Sequence, residues 1–65
     1  MLQIKFSTAN DAFDNLEGET ARILRELADM IERGKHREVP NKFRNVVDSN
    51  GNVIGTWKLS IEEGN

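Results

Sequence analysis

The spacing of apolar positions predicts one long amphipathic helix in the middle of the chain. From Leu16 onward, large aliphatic residues recur at i, i+1, i+4 and i+8, which places them on one stripe of a helix with 3.6 residues per turn. The members of this stripe are Ile23, Leu24, Leu27 and Ile31. Charged side chains cover the remaining helix surface, and Gly34 follows as a residue suited to a left-handed helix end.

The helix has two possible starts. Asn15 could cap a helix that begins at Leu16, but Gly18 would then lie in the first turn at a cost of up to about 1 kcal/mol. Alternatively, Gly18 itself could be the cap. We expect a helix over about residues 17–33, with 19–33 as its firmest part.

A second pattern, with a period of two, predicts strands on both sides of the helix. Leu2, Ile4 and Phe6 alternate with Gln3 and Lys5, as in a half-buried strand over residues 2–6. Residues 42–48 and 52–61 form a second pair of strands, joined by a polar turn at 48–52. The polar segment 7–15 between the first strand and the helix is expected to be a loop.

Two turns compete in this hairpin, and they differ in register. A two-residue turn on Asn50 and Gly51 would pair Arg44 with Trp57. A type I turn from Asp48 to Gly51, with a bulge at the glycine, would instead pair Phe43 with Trp57. We choose the second turn because it collects apolar residues on one face of the hairpin, namely Phe43, Val47, Val53 and Trp57.

These elements predict a single α+β domain over residues 1–65, with β-α-β-β order. The three-stranded, mainly antiparallel sheet carries the helix on one face, and the order of its strands is left open. The expected core, in which Phe13 plugs the start of the helix, consists of Leu2 or Ile4, Phe6, Phe13, Leu16, Ile23, Leu24, Leu27, Ile31, Phe43, Val47, Val53, Trp57 and Leu59. Val46 and Ile54 are expected on the opposite face, as a possible dimer seam.

Composition excludes several classes of function. Nine basic and eleven acidic side chains give a net charge of −2, which argues against binding of duplex nucleic acid or of an anionic membrane surface. With no cysteine and one histidine, we expect no metal site and no cofactor. We also expect no catalytic activity, because no serine or threonine lies in a nucleophile-elbow context and a domain this thin offers little burial to shift the pKa of a carboxylate. The short chain supports only a small core, so we expect a homo-oligomer.

The densest group of cationic residues lies between the helix and the hairpin. Arg and Lys side chains there could hold a phosphate group, with an aromatic ring beside a base. The candidate ligand-binding residues are Arg33, His36, Arg37, Lys42, Phe43, Arg44 and Trp57. The alternatives are a solvated loop for the basic stretch and core packing for Trp57.

Three segments together resemble a family of very small accessory proteins of tailed phages and prophages. They are Asn-Asp-Ala-Phe-Asp-Asn at residues 10–15, the helical sequence 21–34, and Asp-Ser-Asn-Gly-Asn-Val-Ile-Gly-Thr-Trp at residues 48–57. The resemblance implies action in the host cytoplasm by binding. We expect sequestration of a cyclic nucleotide immune signal, as in anti-CBASS and anti-Thoeris sponge proteins, in pockets between protomers. The alternative is an inhibitor or adaptor that binds a host protein.

Overall fold

The protein is a small α+β domain with one α-helix and one antiparallel sheet, seen in a computed structural model that describes residues 1–34 and 41–60. This confirms the predicted fold class. A single turn of 3₁₀ helix at Asp11–Phe13 interrupts the predicted loop. The regular elements in chain order are β1 (Leu2–Phe6), α1 (Leu16–Arg33), β2 (Arg44–Val47) and β3 (Val53–Leu59).

The sheet has the order β1-β3-β2, so the last strand lies in the middle. β1 pairs with β3 along its whole length, with Ile4 opposite Trp57 and Phe6 opposite Gly55. The helix follows one edge strand and precedes the other. The period-two pattern could not show this order, because it marks which residues are half buried and not which strands are neighbours.

Both ends of α1 are capped by local hydrogen bonds. The Asn15 side chain accepts the backbone N–H of Gly18 at 3.2 Å, so the helix begins at Leu16 and the asparagine cap is the correct alternative. At the other end, Gly34 has a φ of 75° and donates its N–H to the Ile31 carbonyl. This left-handed ending confirms the predicted helix stop.

The hairpin has the predicted turn but not the predicted register. Gly51 has a φ of 84° and donates its N–H to the Asp48 carbonyl at 3.1 Å, and Val47 pairs with Val53. The register then shifts because Ile54 has no partner in the Cα pairing of β2 with β3. Trp57 therefore lies opposite Arg44, and the predicted pairing of Phe43 with Trp57 is wrong.

The shift changes which residues of β2 are buried. Val46 is fully buried, while Phe43 and Val47 are exposed, so the core predicted for β2 is wrong by one residue. The same finding removes Val46 from the predicted outer dimer seam, and Ile54 is partly buried against the core as well. The buried hydrophobic residues are Phe13, Ile23, Leu27, Val46 and Trp57, with Phe6, Ala12, Ile31, Ile54 and Leu59 packed against them.

Several other predicted core residues lie at the surface. They lie on the margin of the helix stripe, at the first residue of the helix, on the edge strand β1 or beside the hairpin turn, where the contact between the helix and the sheet does not reach. Contrary to the prediction, these residues are exposed: Leu2, Ile4, Leu16, Leu24 and Val53. The structure confirms the plug formed by Phe13, whose ring stacks on Phe6 with centroids 6.3 Å apart.

Candidate functional site

The helix packs on one face of the sheet, and residues 1–34 and 41–60 contain no second α-helix that covers the other face, here called the uncovered face. Trp57 and Val46 join the helix residues Ile23 and Leu27 in one buried cluster, which identifies the covered face. Neighbouring strand residues point to opposite faces, so the residues that alternate with these lie on the other side. The uncovered face consists of Gln3, Lys5, Phe43, Asn45, Thr56 and Lys58, as the strand registers show.

An aromatic ring and an ammonium group meet on this uncovered face. Lys58 Nζ lies 4.6 Å from the centroid of the Phe43 ring, within the range of a cation–π contact. The ring is nevertheless 51% exposed, so a large part of its surface stays open to a ligand. Phe43, Lys5 and Thr56 also line a shallow depression of about 580 Å³ that is open to solvent, together with Gln3, Leu2 and Ile4.

The charges of the domain are divided between the sheet and the helix. The three strands contain Lys5, Arg44 and Lys58 but no aspartate or glutamate. α1 contains five acidic and three basic residues, giving −2. Although the protein is net acidic, the charged side chains that the described strands place on the uncovered face, Lys5 and Lys58, are both positive. Such a face attracts anions locally.

Those candidate residues of the basic stretch that the structure describes do not lie together at one site. Arg33 is exposed on the last turn of α1, where it forms an ion pair of 3.0 Å with Asp29. Lys42 is exposed just before β2. Phe43 and Arg44 are neighbours along the chain and so point to opposite faces of the sheet, with Arg44 on the side of Trp57.

Two further candidates, His36 and Arg37, lie outside the described residues. Trp57 has 1% of its surface exposed, so its ring packs in the core and is not accessible for stacking on a ligand. The core-packing alternative for Trp57 thus agrees with the structure. Among the five candidates that the structure describes, Phe43 is the one that lies on the uncovered face.

A separate polar cluster holds the hairpin turn against the helix. Glu19 is buried on α1 and accepts two hydrogen bonds from Arg22, of 2.8 and 3.0 Å. It also accepts the backbone N–H of Ser49 in the turn at 2.9 Å. Arg22 in turn contacts Glu26 at 2.7 Å. These bonds give Glu19 a structural role, because they hold the hairpin turn to the helix.

Asp48 has a similar structural role inside the turn. Its carboxylate accepts the backbone N–H groups of Asn50 and Asn52, both at 2.9 Å. The Asn10 side chain donates a further bond of 2.6 Å and at the same time caps the 3₁₀ turn through Ala12. The Asp-x-Asn-x-Asn pattern at 48–52 is therefore satisfied by turn hydrogen bonds.

Both buried carboxylates favour their charged form. Hydrogen bonds from Arg22 lower the pKa of Glu19 to about 2, against the opposing effect of burial and with help from the Ser49 N–H. Burial raises the pKa of Asp48, but the N–H donors of Asn52, Asn10 and Asn50 outweigh it and leave the value below 3.8. Charge-assisted hydrogen bonds therefore hold the hairpin turn to the start of α1 through Glu19 and to the 3₁₀ turn through Asp48.

Low pH is expected to weaken the clamp in which charged Glu19 holds the hairpin turn to α1, through its bonds with Arg22 and the Ser49 N–H. An unfolded chain protonates Glu19 near its ordinary pKa of 4.5, whereas the folded protein does so near 2. The stabilisation is thus complete above about pH 4.5 and is lost as the pH falls from there toward 2. Glu19→Gln should reduce stability at pH 7 but cause progressively less loss as the pH falls through this window.

Urea unfolding of the parent and of Glu19→Gln at pH 7, 4 and 2.5 measures this convergence. Glu17→Gln is the matched control, since Glu17 lies in the first turn of the same helix but is exposed. A difference between the parent and Glu19→Gln that stays constant from pH 7 to 2.5 would contradict the clamp.

Sequence reasoning missed most of the uncovered face. Alternation along β3 is enough to place Thr56 and Lys58 on the face opposite Trp57. Alternation also turns Gln3 and Lys5 away from the core, but only the pairing of β1 with β3 places them beside Lys58 and Thr56. The sequence feature that marks this face is the absence of aspartate and glutamate from all three strands.

Comparison with protein-family models, with curated proteins and with solved structures gives no match for this chain. In the part of the chain that the structure describes, no three side chains among His, Cys, Asp and Glu are grouped so that they could hold a metal ion. Over residues 1–34 and 41–60, no helix is both long and apolar enough to cross a membrane.

Proposed function

We propose that this protein is a small, non-catalytic binding protein of the phage accessory type that sequesters a nucleotide signal on the uncovered face of its sheet. The observation that carries the proposal is the composition of that face. It combines Lys5 and Lys58 with the half-exposed ring of Phe43, and none of the described residues adds a carboxylate to it.

Each component of the face suits one part of a nucleotide. The ammonium groups of Lys5 and Lys58 can neutralise phosphate oxygens, and hydrogen bonds to charged groups contribute about 1.5–3 kcal/mol each. The exposed part of the Phe43 ring offers a surface on which a base can stack, worth about 1–3 kcal/mol. Gln3, Asn45 and Thr56 add neutral donors and acceptors that can contact a sugar or a base edge.

The site differs from the one expected from the basic stretch alone. Arg33 and Trp57 are left out, because the first is paired with Asp29 and the second is buried. Lys42 adjoins the face through its neighbour Phe43. A non-catalytic role is supported by the buried carboxylates Glu19 and Asp48, whose described hydrogen bonds all serve the fold.

A panel of cyclic and linear nucleotides, measured by thermal unfolding and then calorimetry, tests the proposal. A ligand at 100 times its Kd should stabilise the protein by about 2.7 kcal/mol. Inorganic phosphate and an unphosphorylated nucleoside, used as probes of the two halves of the ligand, should each bind more weakly than the intact nucleotide.

Removing one positive charge from the face should raise the Kd for the nucleotide about tenfold or more, which corresponds to about 1.4 kcal/mol. Lys5→Gln makes this change. Arg25→Gln is the matched control, because it removes one positive charge from an exposed position on the helix. Added salt should weaken binding to the parent, since the contacts are exposed.

Two results would contradict the proposal. One is that no nucleotide in the panel raises the unfolding temperature of the parent. The other is that Lys5→Gln and Arg25→Gln weaken binding equally, because the effect would then depend on net charge and not on the sheet face. Either result would favour the alternative of a protein inhibitor or adaptor.

A further inference from the structure

β1 forms one edge of the sheet, and its backbone groups alternate in direction. Met1 and Ser60 exchange two hydrogen bonds of 2.8 and 2.9 Å, and the Ser7 N–H donates to the Ile54 carbonyl. Odd-numbered residues of this strand therefore bond to β3. The backbone groups of Leu2, Ile4 and Phe6 point away from it, and no strand among residues 1–34 and 41–60 pairs with that side.

The core is also open on the side of β1. Leu2 and Ile4 lie on the covered face of the sheet, yet they are 50% and 36% exposed. The helix lies toward β2, since Glu26 and Met30 line a cavity of about 130 Å³ together with Val46.

The helix adds a further apolar residue to this opening. Leu24 lies about 100° around the helix from Ile23, whereas Glu26 lies on the opposite flank of the buried stripe. Because β1 and β2 are the two edges of the sheet, Leu24 is on the β1 side, where it is 45% exposed. An edge strand with unpaired backbone groups thus lies beside an uncovered apolar surface, a combination that favours association with another strand.

We propose that a second copy of this chain occupies the edge, with the two β1 strands antiparallel and the two-fold axis passing through Ile4. This register overlaps the five residues of β1 completely. It places Leu2 opposite the partner's Phe6, so that the apolar side chains of the covered faces meet. The outward-pointing backbone groups of Leu2, Ile4 and Phe6 would bond to the same groups of the partner strand.

Charge repulsion disfavours one of the two neighbouring registers, and incomplete overlap of the five β1 residues disfavours both. With the axis at Ile4, Lys5 lies opposite the partner's Gln3, and no two lysines face each other directly. Moving the axis by one residue to Lys5 would place Lys5 opposite the partner's Lys5, which is unfavourable for like charges on opposing strands. The chosen register also joins the two uncovered faces into one continuous basic surface. The dimer itself does not depend on any ligand.

Sedimentation equilibrium tests the dimer in the absence of ligand. The parent should approach twice the chain mass of 7.4 kDa as concentration rises. Leu2→Asp should raise the dissociation constant at least about tenfold, since the change occurs twice in a symmetric interface. Val53→Asp is the matched control, because Val53 is 60% exposed near the turn of the hairpin, and it should leave the dissociation constant within twofold.

Charge variants at one position test the register independently of folding. Gln3→Glu should tighten the dimer and Gln3→Lys should weaken it, because each faces the partner's Lys5. Hydrogen exchange of the Ile4 amide should slow with rising protein concentration, since this N–H is bonded only in the dimer.

Three outcomes would overturn the proposal. The first is a mass of 7.4 kDa up to millimolar concentration. The second is a dimer that dissociates with Val53→Asp but not with Leu2→Asp. The third is an Ile4 amide whose exchange does not depend on concentration. None of these outcomes would affect the nucleotide test, which is read from ligand binding.

Discussion

Leu27→Ala is expected to lower the free energy of unfolding by about 2–5 kcal/mol, as cavity-forming changes in a core do. Leu27 is 3% exposed and packs in the single cluster that joins the helix to Trp57 and Val46. Small domains have total stabilities near the lower end of about 5–15 kcal/mol. The variant should therefore be largely unfolded at 37 °C, which circular dichroism during a thermal scan would show.

Leu16→Ala provides the matched control on the same helix. Leu16 is 46% exposed, so removal of the same atoms should cost about 1 kcal/mol or less. If Leu27→Ala melts within a few degrees of Leu16→Ala, then the helix does not pack on the sheet as described. The comparison separates burial from helix propensity, because both positions change from leucine to alanine within α1.

Gly55→Ala is expected to separate β1 from β3 or to shift their register. A Cβ atom at this position would collide with the Lys5 carbonyl oxygen and with Phe6 Cα, closer than real contacts allow. Both are parts of the neighbouring backbone, so neither can move away without breaking the strand pairing. Overpacking of this kind costs about 1–3 kcal/mol or more.

Urea unfolding and amide hydrogen exchange measure this effect. The amides of β1 that bond to β3, such as that of Lys5, should lose protection in Gly55→Ala. Thr56→Ala serves as control, since Thr56 is the next residue and its side chain is exposed on the uncovered face. A Gly55→Ala protein with parent-like stability and protection would show that β1 does not approach the middle of β3 so closely.

Local chemistry was sufficient for the helix and its C-terminal stop, for the limits of β1 and for the hairpin turn, but not for the 3₁₀ turn or for the ends of β2 and β3, which are shorter than the predicted 42–48 and 52–61. The 3.6-residue period placed the helix, and the period of two placed β1 with its exact limits. The left-handed end at Gly34 and the turn closed by Gly51 followed from residues that tolerate positive φ. These features depend on near neighbours in the sequence, so they could be predicted without knowledge of the fold.

The register of β2 is where local reasoning failed. The predicted turn is correct, yet one extra residue at Ile54 exchanges the faces of β2 and buries Val46 instead of Val47. Because side chains alternate with a period of two, a shift of one residue reverses every side chain of a strand. Grouping the apolar residues of the hairpin could not reveal the shift, since either face offered a valine.

The candidate site shows the same limit. Its aromatic residue, Phe43, was identified from the sequence, but Lys5 lies 38 positions away and adjoins it only in the folded sheet. Trp57 was uncertain for the opposite reason, since a large ring suits a core as well as a ligand surface. Whether Trp57 is buried depends on whether the helix covers the face of the sheet on which its ring lies.

The sequence by itself determined the one helix, the three strands, the hairpin turn and the α+β class, because hydrophobic periodicity and turn residues act over short distances. Only the tertiary structure decided that β3 is central, that Val46 completes the core and that the basic side chains of β1 and β3 share an uncovered face. These are relations between segments far apart in the chain. They depend on strand pairing and on how much of the sheet a single helix can cover.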